Sequence, residues 1–139
     1  MIAEMIYKAY LRTNSKIFGK ILWKIRSVIL RFYNPIITIK HNGFCLKMPF
    51  SHTIFALQKQ YPNYDMALGK IARLIKQKCG FLNMVDVGAN IGDTAVFTNV
   101  VGANYLLIEG SERYANLIEA NLSANYKNIQ KLQTGVGGQ

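Results

Sequence analysis

The sequence predicts an α/β protein whose second half carries a parallel sheet of about three strands, preceded by N-terminal helices and a small β-hairpin. Three observations carry that reading. From Phe81 onward, short apolar runs alternate with helical patterns, the order expected of strands joined by helical crossovers. Between the first run and its helix lies Met84-Val85-Asp86-Val87-Gly88-Ala89-Asn90-Ile91-Gly92-Asp93, a glycine-bearing turn. Glu109 then closes the next apolar run, seventeen residues beyond Gly92.

The elements follow in order. Residues 2–33 read as helical, with Ile17, Ile21, Ile25 and Ile29 beside Phe18, Leu22 and Phe32, and with Lys16, Lys20, Lys24 and Arg31 interleaved. Asn14-Ser15 separates a short first helix from a longer second one, since either residue can cap a helix N-terminus. Pro35 enforces an exit, because it pushes the residue before it out of the helical region. Ile36 to Lys40 and Phe44 to Met48 are β-prone runs around an Asn42-Gly43 turn, which is a hairpin signal. Pro49 ends it, and Ser51 or His52 opens a short helix through Gln60. Tyr64 to Lys78 forms a further helix with Met66, Leu68, Ile71, Leu74 and Ile75 expected inward, and Gly80 stops it.

The parallel part then begins. Phe81 to Val87 is the first strand, Gly92 to Val101 the crossover helix, and Tyr105 to Glu109 the second strand. Ser111 to Asn125 is the second helix, with Leu117, Ile118 and Leu122 on one buried face. Asn128 to Val136 starts a third strand, which frays into Gly137-Gly138-Gln139. The chain thus divides into a basic amphipathic helical segment (1–34), a hairpin and helix leading into the core (35–80), and the α/β portion (81–139). Its 139 residues suffice for one core domain and not for two ordinary ones.

Composition excludes several classes. No apolar run reaches the roughly 18 residues of a membrane-spanning helix, and Glu4, Lys8 and Arg12 break any signal-peptide core, so the expected location is cytoplasmic. Cys45 and Cys79 show no metal or redox spacing and read as reduced thiols. His41 and His52 have no ligand partner at local spacing. The net charge of +10 suggests nucleic acid until its distribution is counted. Residues 1–40 carry eight Lys/Arg against one Glu, 41–80 six against one Asp, and 81–139 three against five Asp/Glu. The positive excess therefore belongs to the first 80 residues, and nucleic acid is not the expected partner of the glycine turn.

The turn has a chemistry of its own. Gly88 and Gly92 let the backbone bend and approach a ligand, Asn90 tolerates a positive φ, and Asp93 sits in the first turn of the following helix. Asp86, at the carboxyl edge of its strand, points a negative charge at the crevice, and Glu109 stands where a carboxylate accepts ribose hydroxyls. A dinucleotide fingerprint starting at Gly88 would need glycine at Asn90 and Asp93, and no P-loop lysine is present. An acidic turn that avoids phosphate suits a cofactor bearing a sulfonium and an ammonium, which is S-adenosylmethionine. The cofactor-binding candidates are Asp86, Gly88, Ala89, Asn90, Gly92, Asp93 and Glu109, with no metal.

These residues resemble the FkbM-type S-adenosylmethionine-dependent methyltransferases across approximately 44–136. The sharpest part is Val85 to Asp93; Leu46-Lys47-Met48-Pro49-Phe50-Ser51-His52 and Tyr61-Pro62-Asn63-Tyr64-Asp65 upstream, and Leu107-Ile108-Glu109 with Asn116-Leu117 and Glu119-Ala120-Asn121-Leu122 downstream, are similar to family segments. Gly110 departs from the pattern, since members often have proline after the glutamate. The resemblance implies a Rossmann-like class I methyltransferase fold, here incomplete, and transfer of a methyl group to oxygen on a glycan or a secondary metabolite. The acceptor is thus a small molecule or a glycan. It assigns no catalytic base, and Tyr61, Tyr64 and Asp65 are open to either cofactor cover or packing and capping.

Such a sheet has further strands beside its first one, so the expectation is an N-terminal fragment of a larger protein or a shortened product, its first strand at an open edge. The alternative function is a membrane-surface or polyanion-binding module, with peripheral contact to the inner face of the membrane through residues 1–34. Against it stands the ordinary expectation of a helix that packs on the α/β core with its basic face in solvent.

Overall fold

The computed structural model describes residues 2–98, 100–126 and 131–136. The architecture is mixed α/β. Helices α1 (Ile2–Arg12) and α2 (Lys16–Leu30) lead to strands β1 (Ile36–His41) and β2 (Phe44–Pro49), then to α3 (Ile54–Gln60) and α4 (Met66–Cys79). The remainder alternates: β3 (Asn83–Val87), α5 (Asp93–Thr98), β4 (Asn104–Glu109), α6 (Glu112–Asn125) and β5 (Lys131–Val136). The predicted start of the last strand at Asn128 and its fraying after Val136 lie outside the described residues. Among the described residues no helix is long and apolar enough to cross a membrane.

The break between α1 and α2 falls where the capping residues put it, with the Ser15 hydroxyl accepting from the Phe18 amide at 3.3 Å. The hairpin pairs β1 and β2 antiparallel from Ile36 opposite Pro49 to His41 opposite Phe44, and Asn42 and Gly43 take the positive φ that its tight turn requires. Its inner face, Ile37, Ile39, Leu46 and Met48, is fully buried against Tyr7, Phe50 and Phe55. One apolar cluster runs from Ala3 on α1 through the hairpin to Ile118 and Leu122 on α6, so the N-terminal elements and the α/β portion share a core.

The outer edge of β2 is closed by two side chains of α6. Asn121 Oδ1 accepts from the Lys47 amide at 2.6 Å, and its Nδ2 donates to the carbonyls of Lys47 at 2.9 Å and Ile91 at 2.8 Å. One turn later, Asn125 Oδ1 accepts from the Cys45 amide at 2.8 Å and its Nδ2 donates to the Cys45 carbonyl at 2.6 Å. Spacing of four on a helix thus matches spacing of two on a strand, and the amides complete backbone bonds that a neighbouring strand would otherwise make.

The second sheet is parallel, in the order β3-β4-β5, with Val85 opposite Leu106 and Leu107 opposite Thr134. Helices α5 and α6 join the strands and share a core with Tyr105 and Leu107. On the other face, Val85 and Val87 of β3 are 61% and 75% exposed. Parallel sheets ordinarily have both faces covered, and β3 forms the edge of the described sheet.

One helix, α4, turns the other way from the sequence expectation, and α2 keeps Ile17, Ile21 and Ile25 outward along with its lysines. In α4, Leu68, Ile71, Leu74 and Ile75 are exposed, while Gly69 and Ala72 are buried. The cause is a close crossing with α5: a Cβ on Gly69 would stand 3.1 Å from the Phe97 carbonyl oxygen, so this stripe alone permits the approach. Arg73 and Lys76 then reach the carbonyls of Thr98 and Gly102, at 3.3 and 3.1 Å, beyond the end of α5. In α2, Ile17, Ile21 and Ile25 face outward, and Gly19, Leu22 and Arg26 face in. Arg26 decides that orientation. Its Nε donates to the Phe50 carbonyl at 3.0 Å, its Nη2 donates to the Ser51 carbonyl, and its guanidinium lies 4.2 Å from the Trp23 ring centre.

Candidate functional site at the β3–α5 turn

Local chain geometry builds the turn. After β3, Gly88, Asn90 and Gly92 all have positive φ (79°, 51° and 78°), a run that two glycines and an asparagine tolerate. The amides of Gly88 and Ala89 both donate to the Ile108 carbonyl, at 2.8 and 3.0 Å, which ties the turn to the end of β4. Open space surrounds the Cβ position of Gly88, so a ligand can approach the backbone there. At Gly92 the reason for glycine is different: a Cβ would meet Ile118 Cγ2 at 3.3 Å, where α6 packs under the turn.

Glu109 is brought to the turn as its spacing predicted. Its Oε2 accepts from the Asn90 amide and its Oε1 from the Ser111 amide, each at 2.7 Å. Both oxygens are thereby oriented, and each keeps a lone pair for a further donor. The structure places Ala89 differently from the other candidates, since its side chain is buried in the core beneath the turn.

Three carboxyl groups surround the other side of the turn. Burial, with the nearby charges of Asp65 and Asp86 adding to it, raises the pKa of Asp93 to about 6 against backbone hydrogen bonds that pull it down. Burial also raises Asp86, with the Thr94 hydroxyl as a smaller opposing effect, and burial raises Asp65, which holds a left-handed φ of 61° before α4. One acceptor atom in this region, Asp86 Oδ2, is buried without a hydrogen-bond partner, and a second, Asn90 Oδ1, has only the His52 ring beside it. An unpartnered buried acceptor costs about 1–3 kcal/mol, so the turn is a place where a donor from outside the chain is worth binding.

His52 is the residue that sequence reasoning missed. Its ring lies beside the Asn90 side chain, which raises its pKa, but the larger effect of burial lowers it, helped by the charge of Arg26. The imidazole is therefore neutral at pH 7, and its Nδ1 accepts from the Ile54 amide at 3.4 Å. The available signal was position: His52 ends the segment that follows β2, and nothing local marked it as facing a turn 38 residues later. Tyr61 and Tyr64 are exposed. Grooves of about 480, 690 and 990 Å³ are lined by the N-terminal helices, the hairpin, α3 and the end of α6, and none includes the turn.

Comparison with protein-family models, with curated proteins and with solved structures finds no match to this chain.

Proposed function

We propose that the chain is an S-adenosylmethionine-dependent methyltransferase, and more narrowly that it directs an O-methyl transfer to a small-molecule or glycan hydroxyl. The observation that carries this reading is the buried, donorless Asp86 Oδ2, set beside the Asn90 carboxamide and the carboxyl groups of Asp65 and Asp93, with all three carboxyls of raised pKa. That donor-hungry acidic site fits an ammonium and repels a pyrophosphate. The order β3-β4-β5 with helical crossovers, together with a carboxylate at the end of β4, is compatible with half of a Rossmann-like sheet.

When bound, S-adenosylmethionine supplies a methyl group on an electrophilic sulfonium. Asp86 and Asn90 accept from the ammonium end, and Asp93 contributes a negative charge once it is ionised. Gly88 admits the ligand against the backbone, Gly92 keeps α6 tight beneath the turn, and Glu109 accepts the ribose hydroxyls with the lone pairs its two amide donors leave free. This reading assigns the protein to the cytoplasm, where the cofactor is made.

Titration calorimetry of the chain with S-adenosylmethionine tests it. Micromolar binding is expected, weakened about tenfold to a hundredfold in Glu109→Ala and in Asp86→Asn, and strengthening from pH 5 to pH 7 as Asp93 loses its proton. Absence of binding by the folded chain would overturn the cofactor, and unchanged affinity in Glu109→Ala would overturn the ribose assignment.

A further inference from the structure

The outward face of α2 has two adjoining sectors. At about 100° per residue, Ile17, Val28, Ile21, Ile25 and Phe18 fall in one sector roughly a quarter-turn wide, and all five are exposed. Phe32, just past the helix, continues the stripe and is 86% exposed. Beside it Lys16, Lys20, Lys24 and Arg31 form a cationic sector, also exposed. The ion pair among the described residues joins Glu4 to Lys8, and no carboxylate is paired with these four cations.

We infer that α2 is a membrane-surface helix, laid in the plane of an anionic bilayer with the isoleucine sector among the acyl chains and the lysines at the headgroups. Charge complementarity selects this occupant. A protein groove that received the apolar sector alone would leave the four cations unused, whereas an anionic lipid interface satisfies both sectors at once. The helix is also held to present that face. Arg26, anchored on the Phe50 and Ser51 carbonyls, fixes the opposite side on the core, so the stripe cannot roll inward without breaking two hydrogen bonds to a buried charge. A groove of about 990 Å³ runs along the cationic side, lined by Lys16, Lys20 and Lys24 with Tyr10 and Trp23, and gives phosphate headgroups a cleft beside the inserted sector. At 15 residues the helix is too short to span, which matches an in-plane disposition.

The inference is independent of the methyl-transfer reading. Flotation of the full chain with phosphatidylglycerol/phosphatidylcholine vesicles tests it, against phosphatidylcholine vesicles alone. Binding to the anionic vesicles is expected, weakened by high salt, reduced about tenfold or more in the double variant Ile21→Asp with Ile25→Asp, and reduced severalfold in Lys20→Gln with Lys24→Gln. Both variants change exposed side chains, and unchanged circular dichroism confirms their fold. No binding to anionic vesicles overturns the inference. So does vesicle binding indifferent to the isoleucine variant, heparin binding without vesicle binding, or a wild-type dimer in sedimentation that the isoleucine variant dissolves while neither protein binds vesicles.

Discussion

Strands β2 and β3 both lie at sheet edges, and the molecule treats them in opposite ways. The outward amides and carbonyls of β2, at Cys45 and Lys47, are matched by the carboxamides of Asn125 and Asn121. On its outer side β3 has no strand partner among the described residues, and its valines are exposed. The difference is between an edge whose hydrogen bonds close within the described chain and an edge that offers a ladder of donors and acceptors to whatever lies alongside. The edge that belongs to a two-stranded hairpin, normally the weaker unit, is thus the more completely satisfied of these two.

The comparison is tested most severely at Asn121. Asn121→Leu removes the partner of the Lys47 amide and carbonyl and of the Ile91 carbonyl, all within a packed region, and should cost about 2–4 kcal/mol in urea denaturation. A loss under about 1 kcal/mol would mean that the β2 edge does not depend on its asparagines.

A smaller effect is expected at Asp93, the first residue of α5 after the turn that follows β3. Its folded pKa of about 6 stands above its ordinary value of 3.8, so the folded state holds this proton more tightly than the unfolded chain. The associated stability is complete below pH 3.8 and is lost as pH rises through about 6. Asp65 and Asp86 act with the same sign, and His52, whose pKa burial lowers, acts with the opposite one. Asp93→Asn isolates the contribution: it should raise stability at pH 7 by about 1 kcal/mol and flatten the profile between pH 4 and pH 6. An unchanged profile would place Asp93 in water.

The smallest effect belongs to the exposed face of β3. Val87→Thr should alter stability by no more than about 0.5 kcal/mol, because the side chain leaves little apolar contact behind. A cost above about 1.5 kcal/mol would show that this face is covered in solution, and the contrast between the two edges would dissolve.

What was legible in the sequence follows from the range of the interactions involved. The glycine turn and the Glu109 carboxylate were readable because positive φ and strand length are local properties, and the hairpin was readable from Asn42-Gly43 for the same reason. The boundaries of α1 and α2 were set by Ser15, also local. The orientation of α2 and α4 was not readable. A helical period shows that a stripe exists, but not which stripe meets the core. In α4 that choice was made by a glycine at which a Cβ would stand 3.1 Å from the Phe97 carbonyl oxygen, and in α2 by an arginine that reaches two carbonyls at residues 50 and 51. Asn121 and Asn125 were hidden in the same way: asparagines on a helix look solvated until the partner strand, some 75–80 residues earlier, is known. At the site, the same distance kept His52 out of view, while Asp86 was legible as a residue and not as an unpartnered acceptor.

The pattern of bonds at Asn121 also makes the position a chemical discriminator. Its Nδ2 faces two carbonyl oxygens and its Oδ1 faces an N–H, so the carboxamide fits in one orientation only. Deamidation to aspartate would hardly alter its shape, yet it would set an oxygen against two other oxygens and bring a charge into a fully buried place. Ageing of this one side chain would therefore act as a latch release, freeing β2 and the Ile91 end of the glycine turn together.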